Sequence, residues 1–228
     1  YRASHIQEDG RVIDRQNNAI THTEGIGYAL FFAACMKDEE TFQRIESWLE
    51  HNLPKNDQGL YPWKWGDNAK GQWGVLDTNN AADGDLWIAY ARLKAAKVFG
   101  RDEYRTRALS HIEAIQTHLL LEENGRLFLR PGDHGFRSAE GILLNPSYYI
   151  PFIFETFYRA TSDERWRRLV GEAVFCQQYA ALRALFSRCA EHRVALGEDF
   201  MRLRRLALEW AHMRARVEML RRAPRETL

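Results

Sequence analysis

The feature that most restricts the fold of this 228-residue chain is an alternation between two kinds of predicted helix. Apolar residues recur at helical spacing in six segments. The first, third and fifth segments are apolar on nearly all sides, whereas the second, fourth and sixth are apolar on one side only. The six begin near Thr23, Asp38, Asp83, Asp102, Pro151 and Thr161. A helix that is apolar on all sides must be enclosed, so the pattern predicts an inner row of helices covered by an outer row.

The connections between these segments alternate in length as well. Short turns at 37–38, 100–102 and 161–163 predict antiparallel helix hairpins. The connections at 54–82 and 122–148 are much longer, and loops of about 25 residues are uncommon in a plain helical bundle. We therefore expect an all-α fold whose hairpins form an α/α toroid, with a plain bundle as the alternative.

In a toroid of this kind the inner helices run in the same direction, so their N-termini meet at one end. Polar side chains cluster at these N-termini. They are His22, Thr23 and Glu24, then Asn79, Asn80, Asp83 and Asp85, then Asn145, Ser147, Tyr148 and Tyr149. The two long loops lead into the same end. The sequence therefore predicts a functional site in the mouth of the toroid.

Composition and motif content exclude several classes of function. The 32 Lys and Arg residues balance 31 Asp and Glu residues, which leaves no excess of positive charge for binding nucleic acid. No apolar run approaches the roughly 20 residues of a membrane span. The sequence contains no HExxH, Cys-x-x-Cys, glycine-rich phosphate-loop or GxSxG motif. We expect no nucleic-acid partner, no membrane span, no metal and no cofactor.

Three carboxylates stand at the starts of the first and third segments, namely Glu24, Asp83 and Asp85. Each alone could be a helix cap or a first-turn residue that the helix dipole favours. Together they place like charges in one cleft, which raises the pKa of at least one of them. A neutral acid beside ionised carboxylates is what glycoside hydrolysis uses, so the cluster favours that chemistry.

Aromatic residues are concentrated in the loop at 60–74, which carries Tyr61, Trp63, Trp65 and Trp73. Aromatic rings bury the C–H faces of sugars while Asn, Asp and Tyr bind hydroxyl groups, although such rings can also simply anchor a loop to the core. The predicted substrate-binding residues are Tyr61, Trp63, Trp65, Asn80, Asp85, Asn145, Tyr148 and Tyr149.

Four stretches resemble glycoside hydrolase family 8, namely DGRVID at 9–14, ITHTEGIGYALFFA at 20–33, NNAADGDLWIAYARL at 79–93 and NPSYYIPF at 145–152. The resemblance implies an (α/α)6 barrel and an endo-acting, inverting hydrolase of β-1,4-linked polysaccharide such as cellulose. DGRVID and NPSYY look most like the glucanases associated with bacterial cellulose synthesis. This likeness implies a periplasmic or secreted location and an association with the cellulose-synthesis machinery.

The resemblance also implies roles for individual residues. Glu24, in its TEG segment, resembles the general acid, and Asp83 resembles the carboxylate that grips and distorts the sugar. Ala82 stands where the family usually has Ser or Thr, so one local hydrogen bond of the family is in question here. The alternatives are a family 8 chitosanase or xylanase, a non-catalytic carbohydrate-binding protein on the same fold, and a helical scaffold for protein partners.

The resemblance divides the chain into residues 1–174, the N-terminal part of the barrel, and a helical tail at 175–228. The tail resembles nothing in the family and holds eleven Arg, one Gly and one Pro. A shift of reading frame in GC-rich DNA would produce such a tail, and a genuine divergent helical segment is the alternative. Asp199 is the only Asp after Asp163, and its surroundings do not match the family's base motif. The catalytic base is therefore unknown, and we expect an incomplete barrel with impaired catalysis.

Overall fold

The computed structural model describes residues 5–68, 70–138 and 141–173, so the predicted tail at 175–228 lies outside the described residues. Within these ranges the chain is mostly helical. The helices are α1 (Thr23–Cys35), α2 (Glu39–Asn52), α3 (Ala82–Phe99), α4 (Asp102–His118), α5 (Pro151–Thr161) and α6 (164–173). These are the six helices that the sequence predicts, and short turns pair them into the three expected hairpins.

Local sequence explains most helix ends. Asp38 caps α2 by accepting a hydrogen bond from the Thr41 amide at 3.0 Å. Gly100 ends α3 with φ +68°, a conformation that glycine adopts without strain. Pro151 is the first residue of α5, where its missing N–H removes no hydrogen bond.

Two helices are capped by residues other than those at their predicted starts. Thr23 is the first helical residue of α1, and His22 caps the helix, because its Nδ1 accepts a hydrogen bond from the Gly25 amide. Thr161, near which the sequence predicts the start of the sixth helix, is the last residue of α5. Asp163 caps α6 by accepting a hydrogen bond from the Arg165 amide at 2.8 Å.

The helices pack in two rows. In the inner row α1 packs against α3, and α3 against α5, while α2 covers α1 and α4 covers α3. Glycine at two positions lets the inner helices approach closely, since a Cβ on Gly27 would overlap Trp87 and a Cβ on Gly84 would overlap Thr23. Within the described residues the rows form an open arc of three hairpins and not a closed ring.

Both long connections contain short strands that the sequence reading treated as loops. In the first, β2 (Lys64–Asp67) and β3 (Trp73–Asp77) form an antiparallel sheet together with β1 (Thr21–His22), which precedes α1, and Thr21 pairs with Trp65. In the second, β4 (Leu120–Glu123) pairs with β5 (Arg126–Leu129), and β6 (Arg137–Ser138) pairs with β7 (Gly141–Ile142). The three-stranded sheet leads directly into the N-terminus of α1.

The inner helices are less enclosed than predicted. Phe32 of α1 is 48% exposed and Phe152 of α5 is 50% exposed. Both belong to a row of aromatic rings on the inner helices, in which Trp87 and Tyr90 of α3 contact Phe31 on one side and Phe152 on the other. The described outer helices cover the inner row from one side only, which leaves this concave side open. None of the described helices is long and apolar enough to span a membrane.

Candidate active site

The N-termini of α1 and α3 meet at one end of the inner row. The missing side chain of Gly84 lets the backbone of α3 lie directly on Thr23 and the Glu24 amide. The loop between the hairpins reinforces the contact, because the Thr23 amide donates to the Trp63 carbonyl and the Trp63 amide donates to the Asn79 carbonyl. This arrangement brings Glu24 and Asp83 into one cleft, as the sequence predicts.

Glu24 lies at the first turn of α1 and is partly exposed. Its Oε1 accepts a 2.7 Å hydrogen bond from the hydroxyl of Tyr28, one turn further along the helix. Tyr28 is a site residue that the sequence motifs do not single out, although its position four residues after a candidate acid is a usable signal. Tyr28 orients the Glu24 carboxyl toward the inner side of α1, where its ring also packs edge-on against Trp87.

Asp83 is the buried member of the carboxyl pair, with 7% of its surface exposed. Burial, followed by the negative charge of Glu24, raises the pKa of Asp83 to about 7. Tyr148 reaches the same place from the second long connection. Burial and the charges of Asp83 and Glu24 raise the pKa of Tyr148 to about 12. The expected carboxyl with a raised pKa is therefore present, and it is Asp83.

Other predicted residues lie behind the mouth and not in it. Asp85 is 1% exposed and is surrounded by the Tyr61 backbone amide, Asn80 and His111. Asn80 itself is buried between Asp85 and the amide of Asp133. These contacts leave Asp85 and Asn80 no open surface for a sugar, and both support the loops that border the mouth.

The aromatic residues predicted to bind substrate also separate into two groups. Trp63 and Tyr148 are partly exposed beside the carboxyl pair. Trp65 packs against Trp48 of α2 and under the guanidinium of Arg11, on the outer side of the sheet. The remaining two aromatic residues, Tyr61 and Tyr149, are fully buried.

The two buried tyrosines serve the core. The Tyr61 hydroxyl donates to Glu50 and accepts a hydrogen bond from Arg92, and the Tyr149 hydroxyl accepts one from the Leu129 amide at 2.9 Å. Their rings have no free face for a sugar in the described structure. Sequence alone cannot separate them from Trp63 and Tyr148, because a tyrosine at the edge of a loop can point to either side.

A small cavity of about 180 Å³ lies at the N-terminus of α1. It is lined by His5, Val12, Ile13, Asp14, His22, Gly25 and Tyr28. His22 Nε2 stands 3.6 Å from an Asp14 carboxylate oxygen, while Nδ1 caps α1. Because Nδ1 accepts the capping hydrogen bond, the proton of a neutral His22 lies on Nε2. The same hydrogen bond helps to hold the start of α1.

Comparison with known proteins identifies the family. A model of the glycosyl hydrolases of family 8 matches residues 1–183. The chain belongs to glycoside hydrolase family 8. The motifs by themselves place the end of the resemblance at residue 174, and the family match extends nine residues further, to residue 183. The six described helices account for three hairpins of the (α/α)6 fold that solved members share.

Similar family 8 proteins include several endoglucanases. A protein named as a probable endoglucanase from Novacetimonas hansenii is 35% identical over 176 residues, which are 76% of this chain and 50% of the relative. An endoglucanase from Xanthomonas axonopodis pv. citri is 40% identical over 148 residues, 63% of this chain and 38% of the relative. The crystal structure of the family 8 endoglucanase Cel10 from Klebsiella pneumoniae superposes with a TM-score of 0.73 at 32% identity, covering 78% of this chain and 57% of that one. The chain thus spans about half the length of the relatives that it matches.

Proposed function

We propose that this family 8 protein acts on β-1,4-glucan as an endo-acting, inverting glycoside hydrolase, with Glu24 as the general acid. Asp83 would hold and distort the sugar at the cleavage point. The observation that carries the proposal is the meeting of Glu24 and Asp83 in one cleft at the N-termini of α1 and α3. Relatives named endoglucanases, at 32–40% identity, favour β-glucan over chitosan or xylan as the substrate.

The coupled carboxyl pair suggests how the acid receives its proton. A pKa of about 7 for Asp83 means that Asp83 carries a proton at pH values below neutrality. A sugar hydroxyl that donates to Asp83 would stabilise the ionised form of that carboxyl. The proton would then be available to Glu24, the more exposed of the pair, for transfer to the glycosidic oxygen. Substrate binding would in this way prepare the general acid.

Inversion also requires a base that activates water on the opposite face of the sugar, about 6.5–9.5 Å from the acid. The sequence assigns no residue to this role, and Asp199 lies outside the described residues. Loss of proton transfer by a catalytic group typically costs about 10²–10⁴-fold in rate. We therefore propose that the 228-residue chain turns over slowly.

Binding and turnover measured on the same protein test these assignments separately. We expect cellohexaose to bind in calorimetry, and Glu24→Gln to preserve binding while abolishing the release of reducing sugar from carboxymethyl-cellulose. Glu39→Gln, at the first turn of α2, is the matched control and should change neither quantity. Unchanged turnover in Glu24→Gln would show that Glu24 is only a first-turn residue. The first-formed anomer, followed by proton NMR, should be α, and a β product would contradict inversion.

A second variant tests the missing base. Restoring the reading frame after Val174 should increase turnover by about 10²-fold or more if a base is supplied there. Equal activity of the two chains would show that residues 175–228 already provide the catalytic base. Binding of cellohexaose without turnover in either chain would support the second candidate function, a non-catalytic carbohydrate-binding protein, which the unassigned base favours.

We also propose a periplasmic or secreted location and an association with cellulose-synthesis machinery. Both rest on the likeness of DGRVID and NPSYY to the glucanases of that process, and a polymeric glucan substrate is compatible with them. Cell fractionation of the tagged protein tests the location, and recovery solely from the cytoplasm would contradict it. Co-purification with the synthase from detergent-solubilised membranes tests the association.

A further inference from the structure

The first turn of α3, which carries Asp83, has no side-chain cap. Its N-cap residue is Ala81, whose side chain cannot accept a hydrogen bond, and Ala82 follows it. Asp83 Oδ1 instead accepts from the amide of its own neighbour, Gly84, at 2.8 Å. A helix start normally depends on a capping side chain for part of its definition. Other contacts must therefore fix the position of this turn.

The Ala82 amide donates to the Pro131 carbonyl at 2.8 Å, and Asp85 supplies the side-chain contacts. Its Oδ1 accepts from the Tyr61 amide at 3.3 Å and lies 2.8 Å from His111 Nε2, and its Oδ2 accepts from Asn80 Nδ2 at 2.8 Å. Asn80 Oδ1 in turn accepts from the Asp133 amide at 2.7 Å. One buried carboxylate thus ties α3 to the loop before it and, through Asn80, to the loop after β5.

His111 anchors this arrangement from the outer row. It lies on α4, has no exposed surface, and meets Tyr61 edge-on. Burial lowers the pKa of His111, which favours the neutral imidazole, and Nε2 lies within hydrogen-bond distance of Asp85 Oδ1, where it acts as donor to a carboxylate. Among the described residues Nδ1 has no hydrogen-bond partner. A buried imidazole with one unmatched nitrogen is less favourable for packing alone than an apolar residue of similar size, so its bond to Asp85 is the feature that requires histidine.

We propose that His111 is a positioning residue, which fixes the position of the Asp83 carboxyl through Asp85. The proposal rests on the function proposed for Asp83. His111 holds the Asp85 carboxylate in place, and Asp85 keeps both the first turn of α3 and a negative charge beside Asp83. The charged groups that face this site from the surrounding elements are Glu24, Glu46, Glu50, Lys55 and Arg92. None of these donates a hydrogen bond to Asp85 among the described contacts, which leaves His111 as the anchor on α4.

The test compares His111→Leu with His111→Gln. Leucine removes the donor, so the Asp85 carboxylate loses its contact with α4 and its charge moves away from Asp83. We expect the pKa of Asp83, followed by carboxyl ¹³C NMR, to fall by about half a unit or more in His111→Leu. Glutamine can donate from a similar position and should keep the parent pKa. Affinity for cellohexaose should fall about tenfold in the leucine variant and recover with glutamine.

Ile115→Ala is the control for a purely structural role, because Ile115 is fully buried one turn further along α4. It should lower the free energy of unfolding without moving the pKa of Asp83. Where His111→Leu yields no folded protein, His111→Asn replaces it, since its amide is too short to reach Asp85. If the pKa of Asp83 in His111→Leu or His111→Asn equals its pKa in the parent protein, the proposal is overturned, whatever the loss of stability. Failure of the parent to bind cellohexaose would instead count against the proposed function and leave the pKa measurement to decide the role of His111.

Discussion

Asp83 and Asp85 are two residues apart in one helical turn, yet their surroundings are opposite. Asp83 faces Glu24 and the Tyr148 hydroxyl with few donors, and its pKa is raised. Asp85 points to the outer row, where a backbone amide, an asparagine amide and an imidazole surround its carboxylate. The sequence predicts a cluster of carboxylates at this point but cannot assign these roles, because both residues fit a first helical turn equally well.

The raised pKa of Asp83 makes stability depend on pH. The folded state holds the proton up to about pH 7, whereas the carboxyl of the unfolded chain has its ordinary value of 3.8. The contribution of Asp83 is therefore fully present below about pH 4 and is lost as the pH rises through 7. We expect Asp83→Asn to be more stable than the parent at pH 8, by up to about 4 kcal/mol, and to match it most closely at pH 4.

Urea unfolding of both proteins between pH 4 and pH 8 measures this difference. Asp102→Asn, at the exposed first turn of α4, is the control and should show no such trend. A difference between parent and Asp83→Asn that stays constant from pH 4 to pH 8 would contradict the raised pKa.

At the level of elements, the helices could be predicted well and the loops poorly. Helical spacing, the φ of Gly100 and the position of Pro151 are set within a few residues, so local sequence determines them. The strands at 64–67 and 73–77 pair with each other, and the first of them also pairs with Thr21 and His22, which is a long-range contact that local sequence does not reveal. The same limit applies to Tyr61 and Tyr149, whose burial depends on α3, β5 and the loops that close over them.

The contact between α1 and α3 depends on Gly84. Any side chain there would overlap Thr23, so Gly84→Ala must separate the two N-termini or deform the first turn of α3. We expect a loss of about 1–3 kcal/mol in the free energy of unfolding. Because Glu24 then moves away from Asp83, the pKa of Asp83 should also fall toward its ordinary value.

Urea unfolding and carboxyl ¹³C NMR on the same variant measure both effects. Gly74→Ala on β3 is the matched control, since a Cβ there meets nothing within 4 Å. It should stay within about 0.5 kcal/mol of the parent. A stable Gly84→Ala variant with the parent pKa of Asp83 would show that the two helices do not bring the carboxyls together.

At the level of the whole molecule, the described part is an arc of three hairpins from a fold that closes with six in solved relatives. The apolar core divides into two clusters, one mainly between α1, α2 and α3 and another mainly between α3, α4, α5 and α6. Because both clusters join neighbouring hairpins, the arc retains a core and holds the N-termini of α1 and α3 together. The described outer helices do not cover the concave side of the inner row.

The concave side of the inner row exposes aromatic side chains. Phe152 is half exposed at the end of a row of aromatic rings, and exposed apolar patches of this kind promote association between molecules. We expect the 228-residue chain to self-associate with increasing concentration in sedimentation velocity, and Phe152→Ser to shift that association to higher concentration. Trp73→Ser is the matched control, because Trp73 is 52% exposed but lies on the three-stranded sheet beside Arg11. Equal association of the parent and Phe152→Ser, or an equal reduction by both variants, would show that the concave aromatic row is not the surface responsible.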